Sequence, residues 1–167
     1  MKKPFAAMLV GLAGCATPGV GTLPSIPASL EAPAGERLAL ETAATGVQIY
    51  ECSAGKWNFK APEAELFDRA GNKVGKHYGG PTWESNDGSK VVAGVTARSD
   101  APQAGAIPWL LLTAQSTEGH GVFGRTKSIQ RVRTVGGSAP NEPCAPADAG
   151  KLARVAYQAT YYFYVAR

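Results

Sequence analysis

The chain has 167 residues, a length that suits one domain with a modest core. Only 18% of the residues are charged, and 20 Gly and 12 Pro cut the sequence into short pieces, a composition that favours strands and turns over long helices. The formal net charge of +4 is too small to suggest a nucleic-acid surface.

The N-terminus reads MKKPFAAMLVGLAGCATPG. Lys2 and Lys3 precede an apolar stretch, Phe5 to Leu12. That stretch is too short to cross a hydrocarbon core of ~30 Å, so it reads as part of an export signal. Ala13 and Gly14 lead to Cys15, and LAGC resembles the lipobox of bacterial lipoproteins, in which the Cys is diacylated and becomes the mature N-terminus. The resemblance implies a signal peptide over 1–14 and a lipid at Cys15. The other reading is a plain secretory signal with an incidental Cys. Ala16 stands where Asp would favour inner-membrane retention, so the expected address is the cell envelope, at the outer membrane. Loss of Lys2 and Lys3 removes two of the net positive charges. No later apolar run is long enough to span a bilayer, which makes the lipid the expected contact with the membrane.

Residues 16–35, ATPGVGTLPSIPASLEAPAG, are rich in Pro and Gly and read as an extended tether. The folded domain is expected over 36–167. Within it, apolar residues alternate. In VQIYEC (47–52), Val47 and Ile49 share a side, and in KWNF (56–59) Trp57 and Phe59 do. AELFD (64–68) and KVGKH (73–77) flank RAGN, a hairpin-type turn. TWES (82–85) and KVVAGV (90–95) flank a loop with Asp87-Gly88, a strong local hairpin signal. IPWLLLTA (107–114) is nearly all apolar, as in a central strand, and SIQRVRT (128–134) alternates. VAYQATYYFYV (155–165) alternates best, with Tyr157, Ala159, Tyr161 and Phe163 on one face. No stretch keeps a 3.6-residue apolar period, and no internal repeat is present. An all-β fold is expected, an antiparallel sandwich or compact barrel of about eight to ten short strands.

With Cys15 assigned to the lipid, Cys52 and Cys144 remain. In an exported chain such a pair forms a disulfide. Its loop of about 93 residues is assigned roughly 4–5 kcal/mol by chain entropy, against measured values nearer 2–4. A metal or redox pair is disfavoured, since there is no CxxC and no His lies near either Cys.

Several stretches taken in order are similar to one family. They are GVQIYEC, the run from Trp57 through APEAELFD to VGKHYGGPTWE, AIPWLLL, SIQRV and YQATYYFY. The set resembles DUF3455, a domain of unknown function found in bacterial lipoproteins and fungal secreted proteins, over roughly 45–165. The resemblance implies no activity. The malate-dehydrogenase label borne by some fungal relatives finds no support here, because no G-x-G-x-x-G follows a strand and there is no βαβ rhythm.

HYGGPTWESNDGS (77–89) gathers the most chemistry and has two readings. In the structural one, Gly79-Gly80-Pro81 and Asn86-Asp87-Gly88 are turns, Asp87 supports its turn through its side chain, and Glu84 and a strand-end His77 face solvent while Trp83 packs in the core. In the functional one, His77, Tyr78, Trp83, Glu84, Asp87 and His120 contribute to a site for a small polar or carbohydrate ligand. The His spacing matches no metal motif, and no cofactor is expected. Ser89 and Ser116 lack a G-x-S-x-G setting. Lys127, Arg131 and Arg133 alternate, with Arg125 close by, as a solvated edge face or a contact for anionic envelope polymer or lipid. The expected function is a lipid-anchored binding or structural module. The alternative is a hydrolase-like enzyme using His77 and Glu84 as acid and base.

Overall fold

A computed structural model of the chain describes residues 25–167. Cys15 and the signal segment lie outside the described residues. Eight strands follow one another: β1 (Glu36–Ser53), β2 (Lys56–Phe67), β3 (Lys73–Tyr78), β4 (Thr82–Ser85), β5 (Lys90–Ser99), β6 (Trp109–Glu118), β7 (Thr126–Gly136) and β8 (Leu152–Ala166). Each pairs antiparallel with the next, and β8 returns to β1, so one sheet closes into a ring. Of the two all-β architectures expected, the closed one is formed.

The strands are fewer and longer than the apolar runs suggest. The runs at 56–59 and 64–68 join into β2 through Pro62, whose missing N–H falls where β2 is paired with β1 alone. β1 starts at Glu36, ahead of VQIYEC, because Thr42 and Ala44 already face the interior. Bulges at Ile49/Tyr50 and Leu38/Leu40 absorb the curvature that so long a strand needs in a ring.

Alternation places Leu66, Trp83, Val91, Leu112, Ile129 and Phe163 inside the ring. The short 3₁₀ turn Phe123–Arg125 inserts Phe123 against Phe163, with ring centroids 4.6 Å apart, and fills one end. A second apolar cluster lies outside the ring. There Leu30 is fully buried on Trp109, Leu111, Val132, Tyr162 and Tyr164. This explains why 107–114 and the end of β8 are apolar on both faces. It also corrects the tether: residues 28–30 form a 3₁₀ turn docked on the sheet, with Gln130 Nε2 donating to Leu30 O at 2.5 Å.

The two ends of the ring differ. The 68–72, 86–89 and 119–125 connections gather at the Phe123 end. The 54–55, 79–81, 100–108 and 137–151 connections gather at the other. The Asp87-Gly88 hairpin forms as read, with Gly88 at φ 82° and the Asp87 carboxylate accepting from Ser89 N–H at 2.8 Å. Gly80 precedes Pro81 at φ 78°.

The Cys52–Cys144 disulfide is formed. It ties the end of β1 to the long 137–151 connection, which Trp57 also holds by donating to Glu142 O at 3.1 Å. Replacing both cysteines by Ala is expected to lower unfolding free energy by about 2–4 kcal/mol in urea titrations. An unchanged midpoint would show that the connection is held without the bridge.

Candidate functional site

β3 and β4 are the shortest strands of the ring. β3 pairs with β2 only from Ala64 onward, which leaves the first half of β2 without a neighbour on that side. The wall between β2 and β5 is therefore cut down to the Gly79-Gly80-Pro81 turn. A cleft of about 540 Å³ enters the ring through this notch, a size in the range of small-molecule sites. Phe59 and Val95, each 57% exposed, stand at its rim with Lys60 and Arg98. Ile107, Leu110 and Leu112 line its apolar wall, and Gln48, Tyr50, His77, Trp83, Arg131 and Tyr161 supply its polar atoms.

His77 is 3% exposed, not solvated as a strand-end His was expected to be. Its ring stacks on Trp83, its cross-strand partner, at 4.1 Å between centroids and 12° between planes. Tyr161 meets it edge-on at 5.4 Å. His77 Nδ1 lies 2.8 Å from Thr82 O. A carbonyl can only accept, so Nδ1 carries the proton and Nε2 is left as an acceptor. Burial pushes the His77 pKa down to about 3, the Thr82 bond opposing this and the nearby Arg131 charge adding to it, so the ring is neutral near pH 7.

Arg131 points into the ring on the face of Ile129, and its charge acts on Tyr50, His77, Tyr157 and Tyr161 together. Its Nε and Nη2 both donate to Pro108 O, at 3.1 and 2.9 Å. Among the described residues no carboxylate forms an ion pair with it, and none lines the cleft. Around it Gln48 Nε2, the Trp83 indole N–H and the Tyr157 and Tyr161 hydroxyls are buried with no hydrogen bond of good geometry, although the Tyr157 hydroxyl lies near Gln48 and Tyr161 and the Tyr161 hydroxyl lies near Arg131. The two hydroxyls lie close enough to influence each other's acidity, and burial raises both pKa values. Tyr50, in contrast, is anchored: its hydroxyl donates to Gly137 O at 2.6 Å. Gly137, at φ 86°, sits so close that a Cβ there would come within 2.8 Å of the Tyr157 Cβ.

Of the residues singled out from sequence, only His77 and Trp83 meet in this cleft. Tyr78 and Glu84 lie on the outer face, where the Tyr78 hydroxyl donates to Glu84 Oε2 at 2.7 Å and Lys76 stands 3.4 Å from Glu84 Oε1. That hydrogen bond pushes the Tyr78 pKa up to about 12 and holds Glu84 below the usual carboxylate range. The sheet thus separates His77 from Glu84, and the pair cannot share one reacting atom. Asp87 and the exposed His120 belong to the Phe123 end, away from the cleft. Among the described residues no three His, Cys, Asp or Glu side chains gather as metal ligands.

Lys127, Arg131 and Arg133 do not form one basic face. Bulges at Thr126/Ser128 and Val132/Val135, the second with Arg133 at φ 51°, leave Lys127 and Arg133 exposed while Arg131 turns inward. Arg131 was thus missed as a site residue. The signal was present in SIQRV, since strand alternation puts Arg131 on the same face as the fully buried Ile129.

Fold and cleft together define a closed antiparallel β ring, filled at one end and hollow at the other. The family model described as "Protein of unknown function (DUF3455)" matches residues 33–165, and the chain belongs to that family. No curated protein and no solved structure matches the chain.

The neutral buried His77 makes stability pH-dependent. Its folded pKa lies below the unfolded value of about 6.5, so below pH 6.5 the unfolded chain binds a proton that the folded chain does not. Stability should fall with decreasing pH from about 6.5 toward 3, by up to about 1.4 kcal/mol per unit from this group. Urea titrations between pH 7 and 5, above most carboxylate titration, should show that slope in the native protein and a flatter one in His77→Phe. Equal slopes in both proteins would place a charged or solvated His77 in the folded state.

Proposed function

We propose that this protein is a small-molecule-binding module of the cell envelope, anchored by a lipid at Cys15, with the end cleft as its binding site. The observation that carries the reading is the concentration of unpartnered polar atoms in that cleft. Leaving a buried polar group unbonded costs about 1–3 kcal/mol, and native interiors hold few such groups. Here Gln48, Trp83 and Tyr161 line one hollow with a rim of exposed apolar side chains, and Tyr157 lies behind them next to Tyr161. A ligand that enters through the notch would satisfy them and cover Phe59 and Val95. The hydrolase-like alternative lacks support, since the neutral His77 has no carboxylate beside it in the cleft.

Anchor and cleft would be coupled through the N-terminal segment. Ser25, Ile26 and Pro27 lie beside Asp100, Pro102 and Trp109, at the end of the ring where the cleft opens. Cys15 precedes Ser25 by ten residues, which reach at most about 35 Å. A lipid at Cys15 would hold the cleft end within that distance of the bilayer. Cys15→Ser is expected to move the protein from the membrane to the soluble fraction after export. Sedimentation of the variant with membranes in high salt would refute the anchor.

The cleft is tested by thermal shift against a library of small amphipathic compounds. Saturation at about one hundred times Kd stabilises the native state by roughly 2.7 kcal/mol, a clear rise in Tm. Val95→Trp, a rim substitution that leaves the core intact, should abolish the rise for every hit. Hits that Val95→Trp leaves unchanged bind elsewhere and overturn the assignment.

A further inference from the structure

We infer that the cleft is built for an apolar monocarboxylate, whose carboxylate is received by Arg131 and whose apolar body fills the space below the notch. The inference rests on the cleft being a small-molecule site and adds its chemical class.

The first argument is the edge of the guanidinium. Arg131 has five N–H donors, and the Pro108 carbonyl takes the edge formed by Nε and one Nη2 hydrogen. The opposite edge, formed by Nη1 and the remaining Nη2 hydrogen, has two parallel N–H groups and no hydrogen bond of good geometry, the Tyr161 hydroxyl lying near the guanidinium. That fork matches the two oxygens of a carboxylate. The Pro108 bonds orient it, so the fork is fixed before anything binds.

The second argument is the sign of the lining. The side-chain atoms left unpartnered around Arg131 include the Trp83 indole N–H, the Gln48 amide nitrogen and the Tyr157 and Tyr161 hydroxyls, all of which can donate. The cleft also carries Arg98 and Lys60 at its rim and no acidic side chain. An interior cation without a counter-ion is costly in a low-dielectric setting, and a bound anion supplies the missing charge. A cationic ligand would meet Arg131, Arg98 and Lys60 with no carboxylate in the lining to receive it.

The third argument concerns charge and body. His77 is neutral, and Lys60 is engaged by Glu51 at 2.9 Å, which leaves the half-buried Arg131 as the cation beside the apolar wall and the exposed Arg98 at the rim. A single negative charge balances Arg131, while Arg98 at the rim is exposed to solvent. Leu110, Leu112 and Ile107 offer no polar atom to the rest of the ligand, and Tyr50, Phe59, Trp83 and Tyr161 add ring surface. The same chemistry has two sources, aromatic acids and medium-chain fatty acids, and the test separates them.

Isothermal titration of the full-length protein with 2-naphthoate and 2-naphthamide, and with decanoate and decanamide, isolates the charge at constant shape. At least one acid is expected to bind tenfold or more tightly than its amide, and the preferred pair identifies the source. Arg131→Gln should erase the acid-over-amide preference while leaving amide binding in place, and Arg131→Lys should restore only part of it. Should the variants fail to fold, the acid and amide comparison in the native protein still decides. Equal binding of acid and amide overturns the carboxylate assignment and keeps the cleft as a binding site. Tighter binding of 2-naphthyl phosphate than of 2-naphthoate also overturns it, in favour of a phosphoryl group. Failure of all the compounds, together with an empty thermal-shift library, removes both this inference and the binding reading beneath it.

Discussion

The pairing of β1 with β8 is the contact on which the molecule depends. It runs from Glu36 opposite Ala166 to Glu51 opposite Leu152, nearly the full length of both strands. It removes the two free edges that an eight-stranded meander would expose to other chains. It also joins the first described strand to the last, so the ring closes only when β1 and β8 are both in place. Contacts between the ends of a chain carry a high loop-closure cost. The aromatic density of β8, with Tyr161, Tyr162, Phe163 and Tyr164 all buried, offsets that cost on both faces at once. Leu30 extends the same solution: it crosses outside and gives the outward Tyr162 and Tyr164 an apolar partner.

A closed eight-stranded ring has an interior just wide enough for side chains to fill or for one small ligand. Which outcome applies is decided strand by strand. At the Phe123 end the connections are short and large side chains meet. At the other end β3 and β4 stop early, and Gly79 packs against Ala61, so little bulk is delivered to the interior. The hollow therefore arises from strand length. The disulfide and the Trp57–Glu142 contact stand at this same end, where the sheet itself provides least support for the long connection.

Much of the fold was legible because strand alternation is a local signal. The turn at Asp87-Gly88, the faces of β8 and the Cys52–Cys144 bridge all follow from residue types and their spacing. What escaped depends on distant pairing. Pro62 looks like a break between two strands until β1 is seen to pair on its own side of β2. Leu30 looks like tether until its seat on Trp109 and Tyr162 is known. His77 looks solvated because it ends a strand beside Gly79. Its burial comes from Trp83 and Tyr161, one of them on the far side of the sequence. Glu84, adjacent to Trp83 in the chain, is placed on the opposite face by the strand period of two.

Arg131 shows how position can outweigh residue type. A strand with three basic residues at alternate positions reads as a charged surface, and two of the three conform. Bulges on both sides of Arg131 reset the alternation, so its neighbours turn out while it turns in. Once inside, its guanidinium cannot lose its charge, and one carbonyl oxygen meets only part of its donor capacity. The Tyr50 hydroxyl is directed to Gly137 and not to the guanidinium. His77 carries no competing charge, because burial holds its ring neutral against the opposing bond to Thr82. Tyr50 is thus fixed by a contact of its own and His77 is neutral, and Arg131 lines the one part of the ring that the strands do not fill.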